Sequence, residues 1–273
     1  MDASLPTPNP ADPNAALVDV MHDAYGVRGV VRVTLERPEA FNALSEALLD
    51  ALQTRLAALA DSDARVVVIA GAGRAFCAGH DLKEMRAAPS LEYYQALFAR
   101  CTEMMLTIQR MPQPVIARVH GIATAAGCQL VAMCDLAVAA DSARFAVSGV
   151  NLGLFCATPS VPLSRNVSRK AALEMLLTGE FIDAHEAREQ GLVNRVVPAG
   201  ELDTAVASLA SSICAKPAEA VRAGKALFYR QLEMGIEAAY QLAGQTMACN
   251  MMDESALEGV QAFIDKRAAQ WPR

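Results

Sequence analysis

The hydrophobic and polar positions predict alternating strands and helices up to about residue 169. The β-rich runs at 16–22 and 29–35 lie on either side of Gly26 and are typical of a hairpin. Leucines recur at helical spacing over 45–60, which predicts an amphipathic helix. The nearly unbroken apolar runs at 65–70 and 114–119 indicate strands buried on both faces, and 136–140 predicts another strand. Residues 71–88 predict a loop with a helical turn, 91–110 a helix, and 121–133 a small-residue stretch that becomes helical.

Beyond residue 169 the pattern becomes mostly helical. Helices are predicted at 170–178, 184–190, 202–215, 217–234, 238–252 and 255–270, with one late strand at 192–197. Strands that alternate with helices need crossover connections, so the sheet should be largely parallel. We therefore predict an α/β core followed by a helical extension, which packs on its own core or builds an oligomer.

Composition narrows the protein class without naming a function. The 273 residues are 53% hydrophobic and 20% charged, enough for one large α/β domain with an appendage. A net charge of −6 argues against a general binder of nucleic acid or of anionic membranes. The apolar stretch at 115–140 contains Arg118, His120, Gln129 and Asp135, which predicts the buried centre of a soluble protein rather than a membrane span.

The cysteine pattern and residues 1–14 indicate in which cellular compartment the protein is expected. The seven cysteines are scattered without a CxxC, and the four histidines form no HxxxH, so we expect no metal site and a reduced, intracellular protein. Residues 1–14 contain neither a basic residue nor an apolar leader segment. They predict a disordered tail, and the whole pattern predicts a cytoplasmic location.

Two segments carry candidate chemistry. Residues 71–83 follow a buried strand and place Gly79 before a polar run, and residues 120–130 follow the next strand and open a helix with small residues. Small residues let a ligand approach closely, and a helix start offers unpaired N–H groups. Two such loops at adjacent strand ends could aim two backbone donors at one oxygen, as an oxyanion hole does. Glycine-rich strand-to-helix turns are also common without such a role, and this one is neither GxGxxG nor a Walker loop.

Several segments together resemble the crotonase (enoyl-CoA hydratase/isomerase) superfamily, nearest its enoyl-CoA hydratase domain-containing branch. The resemblance spans about residues 16–270 in consistent order. The matching segments are Arg37-Pro38 with 41–44, 75–83, Gly121 to Cys128 with 134–136, 184–197 and 258–267.

This resemblance implies an α/β fold with a ββα spiral core over 15–200 and a C-terminal helical oligomerisation module over 201–273. It implies a homotrimer, or a hexamer built as a dimer of trimers. The implied ligand is an acyl-CoA thioester, with coenzyme A present as part of the substrate and no separate cofactor. The implied oxyanion donors are the backbone N–H groups of His80 and Ala126. The resemblance also assigns CoA contacts to Ala78, His80, Asp81, Leu82, Lys83, Phe263 and Lys266, with Lys266 as the cation near the phosphates.

The sequence departs from the family where the resemblance places two catalytic glutamates. Gln129 stands at the first position and Gly149 at the second. An amide is no general base at neutral pH, and glycine has no side chain, although general acid–base help contributes a factor of roughly 10²–10⁴. Hydratase activity should therefore be weak or altered.

Two side chains, Cys156 and His80, have two interpretations each, and two aspartates have one. Cys156 aligns with the reactive side chain of the dehalogenase and decarboxylase branches, and it is otherwise a small buried hydrophobic residue. The His80 imidazole either faces the ligand or bonds to a neighbour. Asp81 and Asp135 are interpreted as anchors of their loops.

Three functional hypotheses remain open. The first is a catalyst that acts through a thioester enolate, with hydration or isomerisation favoured. The second is decarboxylation or thioester hydrolysis, because loss of CO₂ needs no carboxylate base. The third is a non-catalytic acyl-CoA binder or partner subunit, which the missing glutamates favour.

Overall fold

A computed structural model of the chain describes residues 15–87 and 89–271. The predicted disordered tail at 1–14 lies outside the described residues. The strands of the described part are β1 (Val18–Met21), β2 (Val30–Leu35), β3 (Val66–Gly71), β4 (Ala75–Cys77), β5 (Val115–Val119), β6 (Ile122–Thr124), β7 (Leu136–Ala140), β8 (Arg144–Ala146), β9 (Ile182–Asp183) and β10 (Arg195–Val197). The helices are α1 (Glu46–Ala60), α2 (Leu82–Ala87), α3 (Leu91–Arg110), α4 (Ala126–Met133), α5 (Ala157–Asn166), α6 (Arg169–Thr178), α7 (Ala184–Glu189), α8 (Leu202–Cys214), α9 (Ala218–Leu232), α10 (Ile236–Asn250) and α11 (Glu254–Ile264).

The strands form two sheets, as an α/β fold with crossover connections requires. The larger sheet has the order β1-β2-β3-β5-β7-β10, antiparallel between β1 and β2 and parallel elsewhere. The smaller sheet has the order β4-β6-β8-β9, with β4, β6 and β8 parallel. The predicted hairpin and the predicted parallel α/β core are both confirmed.

Each turn of the core contributes one strand to each sheet. The pairs β3 and β4, β5 and β6, and β7 and β8 follow one another. Helices return the chain to the larger sheet after the first two pairs, and after β8 the chain reaches β10 of that sheet through α5, α6, β9 and α7. Successive turns therefore stack as a ββα spiral. The loops that follow β4 and β6 consequently lie side by side at one end of the smaller sheet.

The larger sheet is buried on both faces. Val67 and Ile69 of β3 pack with the leucines of α1, while Val66 and Val68 pack on α8. Helix α1 begins at Ser45, whose Oγ accepts the N–H of Leu48 at 3.1 Å. The sheet is thus held between α1 with α3 on one face and α8 on the other.

Several short elements differ from the prediction. Strands β4, β6 and β8 have three residues each, too few for a periodic pattern to identify. Helix α5 contains Pro159 and Pro162, which in a sequence indicate a break. The last helix ends at Ile264 instead of 270, and Asp265 caps it.

The C-terminal helices are not equivalent. Helix α8 packs on the larger sheet through Leu202, Val206 and Ala210. In contrast, the buried residues of α9, α10 and α11 together are limited to Ala239, Ser255 and Ala262. The predicted boundary at 201 between core and helical module therefore stays a prediction, with α8 attached to the core. Within the described ranges, no helix has both the length and the apolar character needed to cross a bilayer.

Candidate active site

The loop after β4 is fixed by pairing with residues 41–44. Ala78 donates its N–H to the Phe41 carbonyl at 3.0 Å, and Leu44 donates to the Gly79 carbonyl at 2.7 Å. The Asp81 N–H in turn donates to the Leu44 carbonyl at 3.1 Å. Residues 78–81 thus have a backbone support that does not depend on their own side chains.

Asn42 holds residues 41–44, the segment that pairs with the loop after β4, in place. It is fully buried and has a positive φ of 54°. Its Nδ2 donates to the carbonyls of Ala72, Ala75 and Phe76, and its Oδ1 accepts the N–H of Arg37. Sequence reasoning quoted Asn42 only as part of a matching segment, because a buried asparagine gives no periodic signal.

The loop after β6 approaches the first loop at Gly79. Gly79 has a φ of +92°, and a Cβ placed on it would be 2.9 Å from the Ala125 Cβ and 3.3 Å from the Ala126 nitrogen. Ala125 also has a positive φ, of 50°, and its N–H donates to the Ala146 carbonyl. The structure therefore brings the segments that carry His80 and Ala126 into direct contact, and only glycine permits that contact.

The two N–H groups singled out from the sequence have no acceptor. Among the described residues, neither the His80 N–H nor the Ala126 N–H takes part in a hydrogen bond. Ala126 is the first residue of α4, where an unpaired N–H lies at the positive end of the helix dipole. This arrangement can receive an oxygen that carries negative charge.

The His80 side chain is buried without a partner. Both ring nitrogens lack a hydrogen-bond partner in the described chain, and the ring packs edge-on against Phe98 of α3 at 5.5 Å between centroids. Burial lowers the pKa of His80 to about 4, and the nearby Leu44 carbonyl offsets only part of this effect. The imidazole is therefore neutral at physiological pH. No sequence pattern identified Phe98 as its neighbour.

Gln129 lies within α4, three residues after Ala126. It is 5% exposed, and its Oε1 is buried without a partner in the described part of the chain. The position to which the resemblance assigns the first glutamate thus holds a neutral amide.

Position 149 has no room for a side chain. A Cβ on Gly149 would collide with the Leu154 carbonyl oxygen and would be 2.7 Å from Cys156 Sγ. Phe155 is exposed and is not among the nearest neighbours of this position. Backbone and sulfur atoms therefore occupy the space at the position to which the resemblance assigns the second glutamate.

Cys156 is held against this position. The Gly149 N–H donates to its sulfur at 3.2 Å. Burial raises the pKa of the Cys156 thiol, and the hydrogen bond from Gly149 opposes the shift only in part. The thiol is therefore uncharged at neutral pH, which is unfavourable for a nucleophile.

The carboxylates of Asp81 and Glu84, which follow the β4 loop, already accept hydrogen bonds from the protein. Asp81 Oδ2 pairs with Arg37 Nη2 at 3.0 Å, and its Oδ1 accepts the N–H groups of Lys83 and Glu84 at the start of α2. Partial burial raises the pKa of Asp81, but the bonds from Arg37 and these N–H groups outweigh it, so the pKa lies below its usual value. Glu84 Oε2 accepts the Glu46 N–H at 3.0 Å. Asp81 is thus a loop anchor, as interpreted from the sequence.

The remaining candidate CoA contacts divide into two places. Leu82 and Lys83 are exposed on α2, directly after the loop. Phe263, 86% exposed, and Lys266 lie at the end of α11, and in the described part of the chain no hydrogen bond joins them to 78–83. Lys266 takes part in no ion pair with a described residue. Nor does the described part hold a group of three His, Cys, Asp or Glu placed for a metal ion.

Comparison with known proteins identifies the family. A sequence model described as enoyl-CoA hydratase/isomerase matches residues 26–273. The chain is 46% identical to the mitochondrial enoyl-CoA hydratase domain-containing protein 3 of Rattus norvegicus, over 89% of this chain and 81% of that protein. A probable enoyl-CoA hydratase of Mycobacterium bovis is 34% identical over 88% of this chain and 93% of its own.

Solved structures agree with this result. The crystal structure of an enoyl-CoA hydratase from Mycobacterium smegmatis has a TM-score of 0.91 and 65% identity, covering 93% of this chain and 98% of its own. That of human enoyl-CoA hydratase domain-containing protein 3 has a TM-score of 0.89 and 43% identity, covering 93% and 100%.

The comparison also corrects one prediction. A cytoplasmic location is contradicted, because the matching relatives in rat, mouse, Xenopus and human are named as mitochondrial proteins. Scattered cysteines indicate only a reducing environment, and they do not distinguish one compartment inside the cell from another. The predicted fold and superfamily are confirmed: the chain belongs to the enoyl-CoA hydratase/isomerase family.

Proposed function

We propose that the protein acts on an acyl-CoA thioester whose carbonyl oxygen accepts hydrogen bonds from the N–H groups of His80 and Ala126. The contact of Gly79 with Ala125 and Ala126 is the observation that carries this proposal, because it joins two loops with unpaired donors. Negative charge develops on that oxygen as the thioester becomes an enolate. Preorganised donors stabilise such a charge, and each contributes a factor of about 10²–10³ in rate.

Residues 78–83 line the CoA in this proposal, and Phe263 and Lys266 bind near its phosphates. Lys266 is exposed and unpaired among the described residues, so its charge is available for a phosphate. Asp81 contributes by holding the loop through Arg37.

Hydration is expected to be slow. A hydratase must deprotonate water and return a proton to the α-carbon, but Gln129 is neutral and position 149 is closed. Asp81 and Glu84 are engaged in loop contacts and are poorly placed to substitute. The oxyanion donors belong to the backbone and remain, so a residual rate is expected.

Decarboxylation is a second candidate, favoured by the lack of a carboxylate at both glutamate positions. The bond between the α-carbon and the carboxylate would break, its electron pair would enter the enolate, and CO₂ would leave. Water would then protonate the α-carbon. This route needs stabilisation of the enolate and no general base.

The test compares turnover of crotonyl-CoA and methylmalonyl-CoA by the native chain and by Ala126→Pro. Proline removes the donor and is common at the first position of a helix. Because Ala125 before it has a φ of 50° and a proline favours an extended residue there, circular dichroism and the urea midpoint must first show that the variant is folded. We expect the rate on the accepted substrate to fall by about 10²–10³-fold. Leu91→Pro is the control, because Leu91 is exposed at the same position of α3. An unchanged rate in Ala126→Pro would refute the oxyanion assignment.

Other outcomes separate the remaining hypotheses. Binding of several acyl-CoA thioesters with no turnover would support the non-catalytic binder or partner subunit. A full hydratase rate with a carboxylate-like bell-shaped pH profile would contradict the weak-hydratase proposal.

The phosphate contact has its own test. Lys266→Ala should weaken binding of butyryl-CoA far more than binding of a butyryl-pantetheine thioester, which lacks the nucleotide phosphates. Equal losses for the two ligands would place Lys266 away from the phosphates.

A further inference from the structure

The His80 N–H belongs to a peptide group whose carbonyl is held by the protein. That carbonyl is the one of Gly79, and it accepts the N–H of Leu44 at 2.7 Å. A peptide group is planar, and in its trans form the carbonyl and the N–H point in opposite directions. Among the described residues no peptide bond is cis. The bond from Leu44 therefore directs the His80 N–H away from residues 41–44.

The Leu44 N–H belongs to a second peptide group that is bonded in the same way. The carbonyl of this group is the one of Ala43, and it accepts a hydrogen bond from Arg37 Nη1 at 2.6 Å. The guanidinium and the two peptide groups thus form one chain of hydrogen bonds that all run in the same direction and end at the His80 N–H. Bonds in such a chain polarise one another, each strengthening the next by roughly 10–30%. A positive charge at the start of the chain therefore makes its last N–H a stronger donor.

The start of this chain is fixed by several contacts. Arg37 Nη2 pairs with Asp81 Oδ2 at 3.0 Å, and the two side chains are only 17% and 13% exposed, so solvent screens the guanidinium poorly. The Arg37 N–H donates to Asn42 Oδ1, and the Asn42 N–H donates back to the Arg37 carbonyl, each at 2.9 Å. Phe41 and Asn42 both have a positive φ, which persists in residues other than glycine only where the surroundings impose it. The guanidinium is thus held at one place relative to residues 41–44.

The second proposed donor has a different source of positive charge. The peptide group of the Ala126 N–H has the Ala125 carbonyl, which accepts the Gln129 N–H at 3.0 Å in the first turn of α4. The dipole of α4 supplies partial positive charge to that donor. The His80 N–H lies in the loop between β4 and α2, so it does not belong to a helix that could do the same. Arg37 supplies the positive charge at this donor.

Building on the proposed function, we infer that Arg37 is a positioning residue, which directs and polarises the His80 N–H through the two intervening peptide groups. Asp81 orients the guanidinium and offsets part of its charge. The two members of the ion pair consequently have opposite effects on the donor. Loss of Arg37 removes both the bond to Ala43 and the charge, whereas loss of the Asp81 charge leaves both in place.

Infrared difference spectroscopy measures the polarisation of the bound carbonyl directly. The full-length native protein is saturated with butyryl-CoA that carries carbon-13 at the thioester carbonyl. Hydrogen bonds to the oxygen weaken the C=O bond, so its stretching frequency should be lower in the bound ligand than in the free one. In Arg37→Met this lowering should fall to roughly half of the native value, because the Ala126 donor remains. A native lowering in Arg37→Met would overturn the inference.

A matched control separates this effect from the loss of any partly buried ion pair. Arg118→Met breaks the pair between Arg118 of β5 and Asp203 of α8, and the Arg118 side chain is 20% exposed, close to the value for Arg37. This variant should keep the native lowering. Circular dichroism and the urea midpoint establish that each variant is folded.

Asp81→Asn distinguishes polarisation from a role that only holds the loop. Asparagine keeps an acceptor oxygen for the N–H groups of Lys83 and Glu84, and it removes the charge that offsets Arg37. The lowering of the carbonyl frequency should therefore be at least as large as in the native protein. A smaller lowering would show that the ion pair acts by holding the loop, and it would refute the inference even where Arg37→Met does not fold.

The native spectrum distinguishes this inference from the proposal on which it rests. If butyryl-CoA binds to the native protein with no lowering of its carbonyl frequency, the assignment of the oxyanion donors itself fails. If the native lowering is present and survives in Arg37→Met, only the role of Arg37 fails.

Discussion

At the residue scale, neighbouring backbone and sulfur atoms leave no room for a side chain at position 149. The Leu154 carbonyl and the Cys156 sulfur lie where a side chain would begin, and the Leu154 N–H donates to the Gly149 carbonyl at 3.0 Å. The Leu154 carbonyl belongs to the backbone, and the Cys156 sulfur is held by the hydrogen bond from the Gly149 N–H. Restoring a glutamate at this position therefore requires rebuilding the turn at 148–152.

Gly149→Ala should lower the free energy of unfolding by about 1–3 kcal/mol, because the added methyl group overpacks a closed site. Urea denaturation would measure this change. Gly200→Ala is the control, since nothing lies within 4 Å of a Cβ built there, and it should change stability by less than about 0.5 kcal/mol. Equal effects of the two variants would mean that the turn adapts freely.

The buried imidazole of His80 should make stability depend on pH. Its pKa is about 4 in the folded chain and about 6.5 in an unfolded one, so the unfolded state binds the proton first as pH falls. The stabilisation is complete above pH 6.5 and is lost as pH falls towards 4, with about 2 kcal/mol lost between pH 7 and 5. Urea denaturation at fixed protein concentration should show this loss reduced in His80→Phe and retained in His185→Phe, because His185 is exposed on α7. A native-like pH dependence in His80→Phe would contradict the assignment.

At the element scale, helix α9 is attached to the core by the side chains of Lys225 and Tyr229, which both contact Asp135. Lys225 Nζ donates to Asp135 Oδ2 at 2.7 Å and to the carbonyls of Ile108 and Gln113, each at 2.8 Å. Asp135 also accepts the Tyr229 hydroxyl and the Val115 N–H. The carboxylate therefore joins α9 to the start of β5, and the sequence-based interpretation of Asp135 as an anchor agrees with these contacts.

Asp135→Asn should lower the free energy of unfolding by about 3–5 kcal/mol, because it leaves the Lys225 charge buried without its partner. The side chains of Lys225 and Asp135 are only 7% and 13% exposed. Arg165→Met breaks the Arg165–Glu233 pair, which is 58% and 64% exposed, and should cost less than about 1 kcal/mol. Urea denaturation compares the two, and similar losses would show that burial does not set the value of the Lys225 pair.

The same scale shows which elements the sequence can predict. The patterns of α1 and α3 were correct because each presents a periodic apolar face to the larger sheet over four or more turns. Strands β4, β6 and β8 were missed because their pairing partners, and not their three-residue sequences, make them strands. The position of Gly79 before a polar run indicated the close approach of the two loops correctly. The occupants of position 149 could not be predicted, since they depend on how the turn at 148–152 closes.

At the scale of the whole molecule, the C-terminal helices expose a large apolar surface. Phe228, Leu232, Ile236, Tyr240 and Met247 on α9 and α10 are more than half exposed, as is Phe263 on α11. Exposed apolar patches of this kind mark interaction sites. We propose that these helices bind other copies of the chain in a trimer or a dimer of trimers.

Light scattering at micromolar concentration should give a mass of three or six times 29.0 kDa. The double variant Ile236→Glu and Met247→Glu places charges on this surface and should shift the mass towards one copy. Thr54→Glu, on an exposed position of α1, is the control and should leave the mass unchanged. A native mass near one copy would refute the proposal.

The stacking of the spiral fixes how far apart the two proposed donors lie. The proposed donors follow β4 and β6, which are neighbouring parallel strands, so their separation is tied to the ~4.8 Å repeat of a sheet. Backbone geometry fixed in this way is insulated from substitutions of side chains. Side-chain substitutions at positions 129 and 156 would therefore leave the two proposed donors in place, whereas position 149 is closed to them. The fold thus keeps the proposed electrostatic function in the backbone, apart from the side chains that would react with a substrate.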